Sequence, residues 1–432
     1  MIDELIGILE RENVEWELYW EKGRGSSFKI ERGELERAQR KFHSGVGLRI
    51  GVDGKQGFSY ITGLTHDRGT LEKFVKHTIK LAKVGGVPFL GFPDRKPVPR
   101  VKDLYDPKIE NMGFEEALND ALELLGSERA EMERLGSEYL FSASLAFGVA
   151  HDGVANSNGI FMESEATAMT VSTYVVRRGD KTGTGSHYLT FRTLPKLEDA
   201  FEEGISKALE EAELSYMARP LESYGGELLL EPHALSAVIG ILVENLNAEN
   251  VHHGRSRFRE PGEEVGGGLT LVDDATLPGG MGSYPFDGEG NPGRRTPLVE
   301  DGQLKSFLFD EYYARLFGVE STGNAVRDFR TKPHIGTSNI IVEPGKESLE
   351  DFEGVIIKRV FGEHTANPVS GDFSLTVGLG YVVRNGEVVP FKDNMFTGNV
   401  FELLKKVRAV GDKTERIGTF IAPRVLTEGR VV

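Results

Sequence analysis

Histidine and carboxylate side chains would have to supply any metal site in this 432-residue sequence, because it contains no cysteine. A zinc peptidase helix carries two histidines on one face with a glutamate beside one of them. The imidazoles bind the ion, and the carboxylate accepts a proton from bound water. None of the ten histidines is followed by such a glutamate. His233, His252 and His253 could form an unconventional metal site with acidic residues, but solvated histidines at a helix end and in a loop are the favoured interpretation.

Two other catalytic arrangements also lack support. Serine hydrolases of the α/β type place the nucleophile in a G-x-S-x-G turn, and the sequence contains no such turn. Asp287 and Glu289 are close enough in sequence to act as an acid and base pair. Two carboxylates in a glycine turn more often accept hydrogen bonds from backbone N–H groups, so a structural role is the favoured interpretation.

The charge of the chain restricts its partners. The formal net charge of −16 repels phosphate backbones and favours neutral or cationic partners such as peptides or a basic protein surface. One short basic run interrupts this pattern: His252, His253, Arg255, Arg257 and Arg259. In so acidic a chain we interpret that run as a solvated loop or a local ion-pair surface, and we expect no nucleic-acid ligand.

Composition also indicates where the protein works. The sequence has no apolar run long enough to span a membrane, and the segment Met1–Glu10 is acidic and amphipathic, unlike a signal peptide. We therefore expect a cytoplasmic protein. The chain contains only three glutamines and no cysteine, which fits avoidance of heat-labile side chains in a thermophile.

The first half of the chain alternates helices and strands. Apolar spacing predicts a helix over Ile2–Glu10, a strand over Val14–Tyr19, a hairpin turn at Asp53-Gly54 and a helix from Leu71 with Thr70 as its N-cap. A helix, strands and another helix follow up to Ala212. We predict an N-terminal α/β region over residues 1–215 with two possible subdomains, 1–105 and 113–215, which a diverged duplication would explain.

The second half is predicted to be a separate domain over residues 222–432. Pro232 opens a helix whose apolar residues recur with helical spacing up to Leu246. From Gly266 onward the chain is mostly strands and glycine turns, including a type I′ hairpin at Asn385-Gly386. The expected fold class is α+β, with the C-terminal domain mostly antiparallel β, barrel or sandwich-like, and containing a few helices.

Six ordered motifs in this second half carry a resemblance to a known family. They are Tyr284–Gly290, Glu300–Leu304, Ala314-Arg315 with Ser321–Ala325, Ser370–Ser374, Asn385–Glu387 and Thr397–Asn399. Together they make the segment similar to the C-terminal domain of the TldD/PmbA family, also called modulators of DNA gyrase. The N-terminal half agrees in length and element order and supplies no sharp motif.

The resemblance implies a lost metal site. The TldD branch carries H-E-x-x-x-H on a helix early in this domain and a cysteine near the C-terminus, which together hold a catalytic zinc. Here the helix keeps the motif's glycine as Gly240, while Ser236, Ala237 and Ile241 stand where His, Glu and His would be. The cysteine has no counterpart. This pattern resembles the PmbA (TldE) branch.

What the resemblance implies for function is a heteromeric peptidase. A TldD-like chain would supply the zinc, this chain would hold no cofactor of its own, and peptides would be the substrate. Asn324, Arg327, Asp372 and Ser374 lie in the motif stretches and are predicted either to line an inner substrate cleft or to fix turns and strand ends.

Two alternatives stay open: an autonomous peptidase with the unconventional histidine site, and a regulatory or scaffold protein without proteolysis. A homodimer is plausible for the chain in isolation.

Overall fold

The computed structural model describes residues 1–432, except for the side chains of residues 125, 127–129, 132 and 133. Helix accounts for 24% of the chain and strand for 41%. Among the described residues, no helix combines the length and the apolar character needed to cross a membrane. The mixture of helices and strands confirms the predicted α+β class.

The elements have the following bounds. The helices are α1 (Ile2–Leu9), α2 (Arg68–Val84), α3 (Pro107–Asn111), α4 (Phe114–Leu135), α5 (Leu197–Met217), α6 (Pro232–Asn245), α7 (Ala248–His252), α8 (Glu311–Phe317) and α9 (Val400–Lys405). The strands of the first half are β1 (Glu15–Glu31), β2 (Glu34–Val52), β3 (Lys55–Thr62), β4 (Tyr139–Asn156), β5 (Phe161–Arg178) and β6 (Thr182–Phe191). Those of the second half are β7 (Tyr224–Leu230), β8 (Leu271–Asp274), β9 (Arg295–Glu300), β10 (Gln303–Leu304), β11 (Ala325–Val326), β12 (His334–Ile335), β13 (Ile340–Val342), β14 (Gly354–Phe361), β15 (Asp372–Arg384), β16 (Glu387–Phe391), β17 (Met395–Asn399), β18 (Ala409–Ile417) and β19 (Phe420–Val431).

The first six strands form one antiparallel sheet in the order β3-β2-β1-β4-β5-β6. Each half of the region contributes three strands between two helices, and the halves meet where β1 pairs with β4 along their length, from Glu17 opposite Asn156 to Glu31 opposite Ser142. The two predicted subdomains therefore share a single sheet.

Glycines let a helix lie close against the third strand of each half. A Cβ atom at Gly57 of β3 would lie 2.3 Å from the backbone nitrogen of Ala82 in α2. A Cβ atom at Gly185 of β6 would lie 2.0 Å from the carbonyl oxygen of Ala208 in α5. The same close approach in both halves adds to the resemblance between them. The predicted N-cap of α2, Thr70, is wrong: the helix begins at Arg68, and Asp67 caps it by accepting from the Thr70 N–H.

Five strands of the second half close into a barrel. The order β7-β14-β15-β17-β19 returns to its start because β19 also pairs with β7, from Tyr224 opposite Val431 to Leu230 opposite Val425. Strands β13, β8, β9 and β10 extend the sheet from β19. The barrel alternative of the prediction is thus the correct one. Most pairs are antiparallel, and the exceptions are β7–β14 and β13–β19.

Two local predictions in this domain are confirmed. Strands β15 and β16 are joined at Asn385 and Gly386, whose φ angles of 50° and 77° have the positive sign that a type I′ turn requires. Helix α6 begins at Pro232 and buries Leu235, Val238 and Leu242 in the main C-terminal core.

Candidate functional site

Helix α6 presents the three positions that match the family's zinc motif. The Ser236 hydroxyl is half-buried and donates to the His233 carbonyl oxygen at 2.7 Å, within the helix's own first turn. Ala237 is half-buried against the core, and Ile241 is buried in it. Alanine and isoleucine have no donor atom for a metal, so the residues present on α6 do not fit a zinc ion.

The rest of the described chain offers no substitute. Among the described side chains, no group of three or more His, Asp or Glu residues is placed to hold a metal ion. His233 lies at the start of α6, which spans 14 residues and is therefore about 21 Å long. His252 and His253 follow its other end and stack against Tyr313, with ring centroids 6.0 and 6.5 Å away. His233 is therefore not brought to His252 and His253, so the three histidines do not form one site.

His233 lies in a polar contact between the two halves of the molecule. Burial lowers its pKa, and the Arg359 guanidinium lowers it further. Arg359 also forms an ion pair with Glu211 of α5 at 3.0 Å and donates to the Ser186 hydroxyl at 2.9 Å. The contact thus joins β14 of the barrel to α5 and β6 of the N-terminal sheet.

The motif Tyr284–Gly290 forms a buried turn in which Asp287 binds backbone groups. One Asp287 carboxylate oxygen accepts from the N–H groups of Glu289 and Asn291, each at 2.9 Å, and the other accepts from the Ala325 N–H at 3.0 Å. Burial raises the pKa of Asp287 well above its usual value, and the nearby Glu289 raises it further. These bonds are those of a carboxylate that fixes a turn.

Glu289 continues from this turn into a four-charge network between the two sheets. Arg49 of β2 donates to Glu17 of β1 at 2.8 and 2.5 Å and to Glu289 at 2.6 Å. Arg327 donates to the same Glu17 carboxylate. All four side chains are less than one tenth exposed. Two positive and two negative charges balance inside the protein, which limits the cost of burying each one.

The pKa values in this network follow from burial and pairing. Burial disfavours a charged Arg49, but Glu17 and Glu289 outweigh it and raise the pKa of that guanidinium. Burial raises the pKa of Glu289, and Arg49 opposes this shift. The guanidinium of Arg327 lies over the ring of Tyr19 at 5.0 Å, and burial lowers its pKa against the attraction of Glu17.

Asn324 also lies in the interior. Its amide nitrogen donates to Asp273 at 3.0 Å and to the Gly336 carbonyl oxygen at 3.1 Å. Asp273 accepts in addition from the backbone and hydroxyl groups of Ser338. Burial raises the pKa of Asp273 to about 6, although these hydrogen bonds lower it.

Asp372 and Ser374 lie elsewhere, exposed on β15, while Phe373 between them faces the barrel core. Asp372 accepts from the side chains of Asn399 at 2.9 Å and Ser370 at 2.8 Å, and these bonds lower its pKa. The four predicted cleft residues are thus divided between an interior position and an outer strand face, and their contact with a peptide stays a prediction.

The sequence interpretation missed the N-terminal half of the charge network. Glu17 stands between Trp16 and Leu18, and Arg49 lies within the otherwise apolar run Leu48–Ile50. A charged residue inside an apolar run is the signal that could have identified them, since such residues are rarely buried unless paired.

The N-terminal sheet, the closed barrel and helix α6 define the class of this protein. It is a two-part α+β protein in which one helix of the second half stands where the family's zinc motif would be. Residues 225–432 match the family model described as the PmbA/TldA metallopeptidase C-terminal domain. Residues 16–82 match the one described as PmbA/TldA metallopeptidase domain 1.

Relatives of full length agree with this assignment. An uncharacterized protein of Methanocaldococcus jannaschii is 30% identical over an alignment that covers 100% of this chain and 99% of the relative. A metalloprotease of the same organism is 25% identical, with 90% of this chain and 87% of the relative covered. This chain belongs to the PmbA/TldD metallopeptidase family.

Solved structures share the fold over the whole chain. A crystal structure from Thermotoga maritima, described as a modulator of a DNA gyrase, has a TM-score of 0.87 and 26% identity and covers 100% of this chain and 99% of its own. The structure of TldE from Thermococcus kodakarensis has the same TM-score at 21% identity, with the same coverage.

Proposed function

We propose that this protein is the non-metal subunit of a cytoplasmic zinc metalloprotease complex of the TldD/TldE type, which degrades or processes unfolded or small peptides. The observation that carries the proposal is the α6 surface: Ser236, Ala237 and Ile241 occupy the motif positions, and Ile241 is buried in the core. A chain in a metallopeptidase family without these ligands needs a partner that has them.

Partner and substrate follow from the same reasoning. We propose a TldD-like chain with an intact His-Glu-His helix as the partner that binds zinc, and this chain as the part that completes the assembly. Asp372 and Ser374 are exposed and remain the better candidates for peptide contact. Asn324 and Arg327 are buried and act by holding the loops between the sheets in place.

The experiment compares the chain alone, the TldD-like chain alone and the two coexpressed. We expect the lone chain to purify without stoichiometric zinc and without peptide cleavage, and the complex to contain zinc and cleave an unfolded peptide. Stoichiometric zinc or robust cleavage by the lone chain would refute the proposal and select the autonomous peptidase.

Matched variants locate the activity. Replacing the glutamate of the partner's motif with glutamine should abolish cleavage, because that carboxylate accepts the proton from zinc-bound water. Ser236→Ala in this chain should leave cleavage unchanged, since its hydroxyl bonds only within α6. Copurification with a non-peptidase protein in place of a TldD-like chain would select the scaffold alternative.

In isolation we expect homodimers, which size-exclusion chromatography with light scattering would detect.

A further inference from the structure

At each of its two edges, the N-terminal sheet has one stretch of strand that pairs with no neighbouring strand. Strand β3 pairs with Gly45–Val52 of β2, and Gly63 after it bonds to Ser44, so Glu34–His43 is an open edge. Strand β6 covers only Met169–Arg178 of β5, so the stretch Phe161–Ala168 lies beyond its reach. The free part of β2 exposes Arg37, Arg40 and Lys41, charges of the kind that protect an edge from pairing. The free part of β5 differs, because another segment of the chain runs beside it.

That segment, residues 95–105, is here called the strap. It follows β5 in the same direction and joins it at one end, where Leu104 accepts from the Thr167 N–H at 2.9 Å. Lys102 is also held, since its carbonyl oxygen accepts from the Gly279 N–H. Pro97 and Pro99 have no N–H group, so the strap cannot pair with the strand as a regular neighbour along its whole length.

A groove separates the strap from the strand edge. It has a volume of about 960 Å³ and is bounded by strap residues from Val98 to Tyr105, by Glu163–Glu165 and by Pro285. It continues past Met162 into a second space of about 380 Å³ beside Arg95–Val98. The edge from Met162 to Glu165 is about 13 Å long at 3.3 Å per residue.

The backbone of β5 faces this groove. In an antiparallel strand both polar groups of a residue point to the same side and alternate along the chain. The Thr167 N–H points toward the strap, so the N–H and C=O groups of Glu163 and Glu165 point the same way. Among the described residues, the structure gives these groups no hydrogen-bond partner. Unpaired backbone groups beside an open groove are suited to a further strand.

We propose that the groove binds an extended peptide, which adds to the free edge of β5 as a strand between Glu163–Glu165 and the strap. Both signs of charge line the groove, with Glu163 and Glu165 on the strand and Arg100 and Lys102 on the strap. A charged peptide side chain of either sign therefore finds an opposite charge in the groove. The hydrogen bonds of the peptide backbone are the contacts that all peptides share. The occupant is an unfolded polypeptide; its role as substrate on the way to the partner's zinc rests on the proposed function.

Proline variants test the backbone bonds directly. The N–H groups of Glu163 and Glu165 lie outside the ladder with β4, so Glu163→Pro with Glu165→Pro removes two donors that the fold does not use. Binding of a short fluorescein-labelled unstructured peptide to the lone chain, followed by fluorescence anisotropy, should weaken about tenfold or more. The matched pair Glu163→Thr with Glu165→Thr loses the same two charges but keeps both N–H groups, so it should bind the peptide at least about threefold more tightly than the proline pair.

A second measurement does not depend on the variants folding. The same peptide with N-methyl groups at consecutive residues has lost the donors of both its edges and cannot donate to the strand, and we expect it to bind the wild-type chain about tenfold or more weakly. The proposed peptide site would be contradicted if the N-methylated peptide bound as tightly as the unmodified one. It would also be contradicted if a proline variant with wild-type circular dichroism bound the peptide as tightly as the wild type. Peptide binding by the lone chain without cleavage by the complex would overturn the proposed function and leave the groove in place. Cleavage by the complex without groove binding would do the reverse.

Discussion

Buried ion pairs connect the two halves of this protein. Glu17 accepts from Arg49 of β2 and from Arg327, which follows β11, so the two arginines come from different halves of the chain. Each charge is stabilised mainly by its partners, because at most a tenth of its side chain is exposed to water. A residue in this network therefore contributes to stability mainly by preventing an unpaired charge from being left in the interior.

Arg327→Met is expected to lower the free energy of unfolding by about 3–5 kcal/mol, since it leaves part of the Glu17 carboxylate unpaired in a buried place. Guanidinium chloride unfolding followed by circular dichroism measures the change. Lys413→Met is the matched control, because its ion pair with Glu350 is more than half exposed and such pairs contribute about 1 kcal/mol or less. Equal losses in both variants would contradict a special cost of the buried charge.

Asp310 should make the stability of this protein depend on pH. Burial and the nearby Glu289 carboxylate together raise its pKa to about 7, and hydrogen bonding to the Tyr313 N–H opposes the shift. An unfolded aspartate titrates near 3.9, so between about pH 4 and 7 the native state binds more protons. The contribution of this group to stability is complete below about pH 4 and is lost as pH rises through about 7.

Asp310→Asn removes this titration and keeps the acceptor that caps α8. The difference in unfolding free energy, variant minus wild type, should increase by about 1–4 kcal/mol between pH 4 and pH 8. Urea denaturation across this pH range measures both. Parallel profiles for the two proteins would contradict the raised pKa.

At the scale of elements, contact between helix and strand depends on missing side chains. Gly185→Ala would place a methyl group 2.0 Å from the Ala208 carbonyl oxygen, so α5 must move away from β6. We expect a loss of about 1–3 kcal/mol in unfolding free energy, as for other overpacked sites. Thermal and denaturant unfolding would show it.

Gly240→Ala is the control for that substitution. Gly240 lies on the exposed side of α6 with nothing within 4 Å of a built Cβ atom. Alanine in a helix is more favourable than glycine, so this variant should gain about 0.5–1 kcal/mol. A loss at Gly240 or no effect at Gly185 would contradict the packing described for these helices.

The whole molecule is joined by an apolar cluster as well as by charges. Tyr19 and Val154 of the N-terminal sheet and Ile160 of the β4–β5 turn pack with Phe286 and Phe329 of the second half. Together with the buried ion pairs this contact couples the two parts more strongly than a small polar domain interface would.

We therefore expect calorimetry to show a single unfolding transition for the wild type. Phe329→Ala removes a fully buried ring from the shared cluster and should separate the transition into two. Phe258→Ala removes a comparably buried ring within the C-terminal core and should lower the transition temperature without separating it. Two transitions in the wild type would contradict the coupling.

Local features of the fold could be predicted because their causes are local. The apolar spacing after Pro232 specified α6, and the Asn385-Gly386 pair specified its turn, since both depend on neighbouring residues. Strand β1 was predicted to end near Tyr19 and continues to Glu31, because pairing on both sides with β2 and β4 sustains a stretch whose own pattern is weak.

By itself the sequence determined the element types of the second half and the absence of the motif's His, Glu and His at Ser236, Ala237 and Ile241, since these follow from side-chain identity and spacing. Only the tertiary structure decided that β19 returns to β7 to close the barrel and that Arg327 meets Glu17, 310 positions away in the chain. Sequence periodicity shows which face of an element is apolar, but the partner of that face is chosen by packing among distant segments.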